Sequence, residues 1–173
     1  MSTESLIPLN YQLSKYITFG MLTNTEHRDL LDINVENAMM FIDNLTKLAT
    51  DVLDPVWDLI GPFVITSGFR CKQLNIAVNG SLTSQHSDGE AADLIVANGK
   101  LKDIFNKIAS SDVKYSQLIF EFGRWVHVGL IDEILHPNKI HQNLVAATVV
   151  DVEATKIKGQ TVYKTEYKIV NLL

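Results

Sequence analysis

Apolar residues recur at steps of three or four through residues 35–60, at Val35, Met39, Ile42, Leu45, Leu48, Val52, Val56 and Leu59. That spacing lines one face of a helix and predicts a core element. Pro55 falls inside the pattern, where a residue without an N–H ends or kinks a helix, so a break is expected near Asp54. A shorter helix is predicted over residues 21–31, with Thr23, Asn24 or Thr25 as caps. After Gly61-Pro62 the pattern changes period. Phe63-Val64-Ile65-Thr66 reads as a short buried strand that leads into Ser67-Gly68-Phe69-Arg70, and a helix is predicted over 72–78. Asn79-Gly80 turns the chain, and residues 80–89 are polar and small, a loop by composition. A strand over 91–96, a helix over 100–110 and two strands over 117–122 and 125–130 follow. Residues 144–157 and 162–170 are rich in Val and Thr around Lys158-Gly159-Gln160-Thr161, which predicts a long hairpin. Because a lone hairpin is marginal in water, it must pack on the main domain, on a second copy or on a partner.

Composition narrows this picture. The 173 residues, 46% hydrophobic and 20% charged, fit one compact domain with an appendage, divided here as 1–142 and 143–173. A domain of about 150 residues buries roughly 70% of its unfolded surface, so no metal or disulfide is needed as a staple. The single cysteine, Cys71, has no internal partner and reads as a small core residue. A net charge of −5 without a basic stripe argues against nucleic acid as a partner. No segment reaches the roughly 18 apolar residues of a membrane span, and residues 1–8 lack the basic start and apolar run of a secretory signal. A soluble chain made in the cytoplasm is expected, and any action on cell wall would require release or delivery by another agent.

Candidate chemistry lies in Ser84-Gln85-His86-Ser87-Asp88-Gly89-Glu90-Ala91-Ala92-Asp93. Imidazole nitrogen and carboxylate oxygen are both good zinc ligands. Gly89 is free to take positive φ, which lets the loop double back so that His86 and Asp93 converge, and Ala91 and Ala92 allow close backbone packing. In Trp125-Val126-His127-Val128-Gly129, alternation puts His127 on one face with Trp125 and Gly129, with Val126 and Val128 in the opposite layer. The small Gly129 is expected to leave room for substrate. Asp88 and Glu90 read as solvated loop charges, and His27, His136 and His141 as surface residues.

Ser67-Gly68-Phe69-Arg70, the run from Ser84 through His86, Gly89 and Ala91 to Asp93, then Glu121 and Trp125-Val126-His127-Val128, resemble the zinc D-alanyl-D-alanine peptidases. That group includes phage endolysins and is similar in fold to the hedgehog signalling domain. The resemblance covers about residues 16–130. It implies one zinc ion per chain on His86, Asp93 and His127, with an open fourth position for a water whose pKa falls to about 7. Many family members carry an acid three residues before the last ligand, where this chain has Arg124. Glu121, six before His127, is then the candidate base, as in the hedgehog-like branch. A two-residue Gly123-Arg124 turn would set Glu121 opposite Val126, on the wrong side of the sheet. A three-residue turn, Phe122-Gly123-Arg124, would set it opposite Trp125 and diagonal to His127, and this odd register is the one predicted. Arg70 is the expected clamp for a substrate carboxylate and Ser84 a hydrogen-bond donor to substrate, while Ser67 shapes the turn.

The expectation is therefore an α+β domain: helices on one side of a small antiparallel sheet, zinc on the open face, and a C-terminal β-hairpin extension. The function implied is a zinc metallopeptidase acting on peptidoglycan stem peptide, as carboxypeptidase or endopeptidase, in a phage lysis or virion-borne setting. One alternative is a zinc-retaining, non-catalytic component of a phage particle, with the hairpin meeting a virion partner or a second copy. Another is a zinc hydrolase of an unrelated amide.

Overall fold

The computed structural model describes residues 7–97, 100–132, 134, 142–150, 161 and 163–170, with backbone alone at 148–150. His136 and His141, and Lys158-Gly159-Gln160 of the predicted hairpin turn, lie outside the described residues. Helix α1 (Phe19–Thr23) starts at Thr18, whose extended backbone and side chain accept the Met21 N–H. The helix predicted over 21–31 is therefore divided. Thr23 donates its hydroxyl back to the Phe19 carbonyl and Thr25 accepts the His27 N–H, so these side chains bond locally and do not cap one continuous helix. A 3₁₀ turn, Arg28–Leu30, leads into α2 (Leu31–Ala38).

The long apolar period becomes a chain of short helical pieces. A 3₁₀ turn, Met39–Phe41, joins α2 to α3 (Ile42–Lys47), and a π turn, Leu48–Leu53, joins α3 to α4 (Asp54–Ile60). Pro55 sits at the start of α4, where its missing N–H is tolerated, and the wide turn before it absorbs the break expected near Asp54. Leu45, Leu48, Val52 and Val56 of the predicted face are fully buried, together with Ala49 and Leu53 beside it.

Six strands form one mixed sheet in the order β1-β2-β4-β3-β5-β6. They are β1 (Val64–Ser67), β2 (Ala91–Ile95), β3 (Gln117–Glu121), β4 (Trp125–Gly129), β5 (Gln142–Val150) and β6 (Tyr163–Ile169). Helix α5 (Lys72–Ala77) follows β1, and α6 (Leu101–Ala109) precedes β3. The first four strands pair antiparallel as predicted, but β5 joins β3 in parallel. The chain leaves β4 at the end where β3 begins, and β5 starts at that same end, with Gln142 opposite Gln117. The β5–β6 pair is antiparallel and docks on the main sheet, which answers the marginality of a free hairpin.

Alternation gives the sheet two distinct faces. Ile65, Ala92, Leu94, Leu118, Val126 and Val128 join the helices in the main core, in which Cys71 is also buried. Ile119, Leu144 and Ala146 form a separate apolar cluster with Phe122 on the other face. That second face carries Asp93, Glu121, Trp125 and His127, since Asp93 pairs with His127, His127 with Ile119, and Glu121 with Trp125.

Candidate functional site

Local geometry brings the loop histidine onto the sheet. Gly89 takes φ +72°, as expected, and closes a 3₁₀ turn, Gln85–Asp88, whose Gln85 carbonyl accepts the Glu90 N–H just before β2. A side chain at Gly89 would also crowd Phe41. The turn is pinned from below by Asn44, which donates to the Asp88 carbonyl at 2.8 Å. It is pinned at its end by Gln85, whose amide donates to Ser116 Oγ and to the Leu130 carbonyl.

His86, Asp93 and His127 are all buried and offer three donor atoms to one point. His127 Nδ1 lies 2.9 Å from Asp93 Oδ1 and 3.1 Å from His86 Nε2, and His86 Nε2 lies 3.3 Å from Asp93 Oδ1. Ligands held about 2.0–2.1 Å from a tetrahedral zinc ion stand ~3.3 Å apart, so this triangle has the size of one tetrahedral face. The chemistry of the donors agrees with the distances. His86 Nδ1 lies 2.7 Å from the Gly68 carbonyl oxygen, which only accepts, so Nδ1 carries the proton and Nε2 presents a lone pair. Burial lowers the His86 pKa, against the opposite pull of Asp93. The His86 lone pair and the Asp93 carboxylate oxygen then face each other across His127 Nδ1. Burial alone would raise the Asp93 pKa, but the charge and hydrogen bonds of the two histidines hold the carboxyl well below the usual carboxylate range. Such a donor set fits a divalent cation.

The hairpin between β3 and β4 turns through Phe122-Gly123-Arg124, with the Arg124 N–H donating to the Glu121 carbonyl at 2.8 Å. The odd register is thus the one observed, and it sets Glu121 on the face of the triad. Phe122 accepts φ +52° in this turn because its ring packs with Ile119, Leu144 and Ala146, and its N–H donates to the Ala146 carbonyl of β5. Arg124 is exposed in the turn and is not a member of the triad. Glu121 is half-buried, and its pKa is raised, first by desolvation and then by the Asp93 charge. His127, the Trp125 indole N–H and Arg70 act in the opposite direction.

Arg70 and Ser84 also reach the site. The Arg70 backbone N–H donates to the His86 carbonyl, and one guanidinium nitrogen donates to Ser84 Oγ at 3.3 Å. Ser84 therefore accepts from Arg70 while its own proton remains to be donated elsewhere. Arg70 Nε is buried and has no hydrogen-bond partner among the described residues. These side chains line a cavity of about 580 Å³ that also takes in Gln117, Ile119, Trp125, Leu144, Thr165 and Tyr167. A second cavity of about 420 Å³ adjoins it across Arg70, Asp93 and Trp125, and is lined by Thr25, Glu26 and Arg124.

Several readings of the sequence change. Gly129 does not open space for substrate: a Cβ there would lie 2.5 Å from Ser116 Oγ and 2.7 Å from Gln85 Oε1, so the missing side chain admits the Gln85 lock. Glu90 is not a solvated loop charge but fully buried beside Asp132, and burial together with Asp132 pushes its carboxyl up to about 7. His27 is half-buried and lines the second cavity without joining the triad. Two supports were not foreseen. Asn34, buried in α2, donates to the Thr23 and Phe69 carbonyls and accepts the Cys71 N–H, which ties down the loop that carries Arg70. Its only sequence signal is a polar residue within an apolar helical segment. Gln85 showed no signal beyond its place beside His86. No helix among the described residues is long and apolar enough to cross a membrane.

A sequence model of a family described as Peptidase M15 matches residues 20–129, from α1 through the end of β4. No curated protein matches the chain.

Proposed function

The chain belongs to the peptidase M15 family, and from that premise we propose that it is a zinc metallopeptidase that cleaves stem peptides of bacterial peptidoglycan. The observation that carries the reading is the buried triangle of His86 Nε2, Asp93 Oδ1 and His127 Nδ1 on the floor of an open cleft. These three residues would hold the ion, with Gly68 fixing the tautomer of His86. When bound, zinc supplies Lewis acidity toward the scissile carbonyl and lowers the pKa of water.

The protein's own groups do the rest. Glu121 faces the triad from the neighbouring strand and takes a proton from the attacking water, then returns it to the leaving amine. Its raised pKa brings base and acid forms closer to neutral pH, where both halves of that exchange are needed. Arg70 presents a desolvated, unpaired Nε–H and pairs with a carboxylate of the peptide, and Ser84, held against Arg70, donates its hydroxyl proton to the same chain. Peptides of this kind carry free carboxylates, which suits a cleft with one fixed guanidinium. A phage lysis or virion-borne setting follows from the resemblance to endolysins.

Zinc content and cleavage test the reading together. The purified protein is expected to hold one zinc per chain and to release D-alanine or shorter peptides from purified peptidoglycan. Glu121→Gln is expected to keep its zinc and lose roughly 10²–10⁴-fold in kcat, and His127→Ala to lose both metal and activity. Stoichiometric zinc with no cleavage of peptidoglycan or of a D-Ala-D-Ala peptide would leave a zinc-retaining structural component instead. Cleavage confined to other amides in a wider peptide panel would assign a different substrate.

A further inference from the structure

The match to the peptidase family ends at residue 129, yet the cleft does not end there. Its far wall is built by β5 and β6 through Leu144, Thr165 and Tyr167. Register explains how. Ala146 of β5 lies opposite Glu121 on one side and opposite Tyr167 on the other. Tyr167, Ala146, Glu121 and Trp125 thus form one row across four strands, with all side chains on the face of the triad. Ala146 is the smallest member of that row and is buried, so nothing bulky stands between Tyr167 and Glu121. Strands two apart are separated by ~9–10 Å, a gap of the width needed by an extended peptide.

Tyr167 belongs to β6, the edge strand of the sheet. It is 52% exposed, on the side of β6 that faces the cleft. Among the described residues no hydrogen bond engages its hydroxyl. The charges that act on that hydroxyl are Glu121, Asp93 and Arg70, which are the base, a ligand and the carboxylate clamp of the proposed site.

We propose that the β5–β6 hairpin completes the substrate cleft and that Tyr167 is a substrate-contacting residue, its ring forming the wall opposite Arg70 and its hydroxyl donating to a backbone carbonyl of the bound peptide. This inference rests on the peptidase reading for its substrate class. The hairpin is then part of the recognition machinery, and the residues beyond the family match set which peptides enter. Tyr163 shares the face of Tyr167 and is 64% exposed, but does not line the cleft, which makes it the internal control.

The test uses the full-length, zinc-loaded protein and the stem pentapeptide L-Ala-γ-D-Glu-L-Lys-D-Ala-D-Ala, beside a soluble peptidoglycan digest. Tyr167→Phe removes one oxygen from a half-exposed ring and is expected to lower kcat/KM about tenfold, the loss of one hydrogen bond worth ~1.4 kcal/mol. Tyr167→Ala removes the wall as well and is expected to raise KM at least a further threefold, while Tyr163→Phe stays within twofold of the parent. Binding is measured separately in a Glu121→Gln background by quenching of tryptophan fluorescence, since Trp125 lines the cleft. There Tyr167→Ala is expected to weaken peptide binding at least fivefold. If the parent cleaves peptide and both Tyr167 variants match it in kcat and KM, the inference is wrong and the peptidase reading stands. Binding that depends on Tyr167 in a protein that cleaves nothing would uphold the inference and overturn hydrolysis. Neither binding nor cleavage by the parent would overturn both.

Discussion

Replacing Asn34 by alanine removes a side chain that joins α1, α2 and the Arg70 loop. Three buried hydrogen bonds disappear, to the Thr23 carbonyl at 2.9 Å, the Phe69 carbonyl at 3.1 Å and the Cys71 N–H at 2.7 Å. An intact bond contributes about 1 kcal/mol net, whereas a buried group left without its partner costs ~1–3 kcal/mol. Cys71 is 2% exposed and its N–H has no route to water, so the upper part of that range applies to it, while the two carbonyls are relieved in part by water entering the gap. The expected loss is ~3–5 kcal/mol, a large share of a typical total of 5–15 kcal/mol. At ~2–4 °C per kcal/mol for a chain of this size, the melting temperature should fall by roughly 10 °C. Asn37→Ala is the matched control, because Asn37 makes one local, half-buried bond to the Ile33 carbonyl and should cost at most about 0.5 kcal/mol. Urea unfolding at equilibrium reads both variants. If Asn34→Ala lies within about 1 kcal/mol of the parent, or unfolds no more easily than Asn37→Ala, the clamp is not what holds the Arg70 loop. The functional corollary is a raised KM in Asn34→Ala at a temperature where it remains folded.

Zinc in thousandfold excess over its dissociation constant should stabilise the folded chain by ~4 kcal/mol, or about 8–16 °C in a thermal scan; Asp93→Asn should abolish that gain, and an equal gain in the variant would disprove the triad as the site. Glu90 sets a pH dependence of stability. Its folded carboxyl is raised to about 7 from an ordinary 4.5, so between those values the folded protein holds a proton that the unfolded chain has released. This contribution is full below about pH 4.5 and is lost as pH rises through 7. Glu90→Gln should therefore gain on the parent as pH rises from 5 to 8 in urea titrations, a comparison that cancels the histidines common to both proteins; parallel pH curves would reject the assignment. Gly129→Ala drives a Cβ against Ser116 and Gln85 and should cost ~1–3 kcal/mol while loosening zinc through the displaced His86 turn; unchanged stability and metal affinity would count against the Gln85 lock.

Much of this molecule was legible in local pattern, because local pattern is what periodicity and spacing encode. The apolar stripe of residues 35–60, the break before Pro55, the strand alternation that buries Val126 and Val128, and the positive φ of Gly89 all depend on neighbours within a few positions. So does the motif that links His86 to Asp93, since one left-handed glycine and one tight turn join them. The odd register of Glu121 was expected from the face that its role as base requires, and in the structure it is supported by β5, whose Ala146 carbonyl and apolar face hold Phe122 in the turn. The parallel docking of that strand, the burial of Glu90, the reach of Asn34 across three segments and the approach of Tyr167 to the cleft had no signature in sequence. Each joins residues far apart in the chain, and the energy that decides such a contact is desolvation and packing against a surface that exists only after the chain has folded. The sequence by itself determined the donors and the loop that presents two of them; the tertiary structure decided which face they share, what supports them and which strand closes the cleft above them.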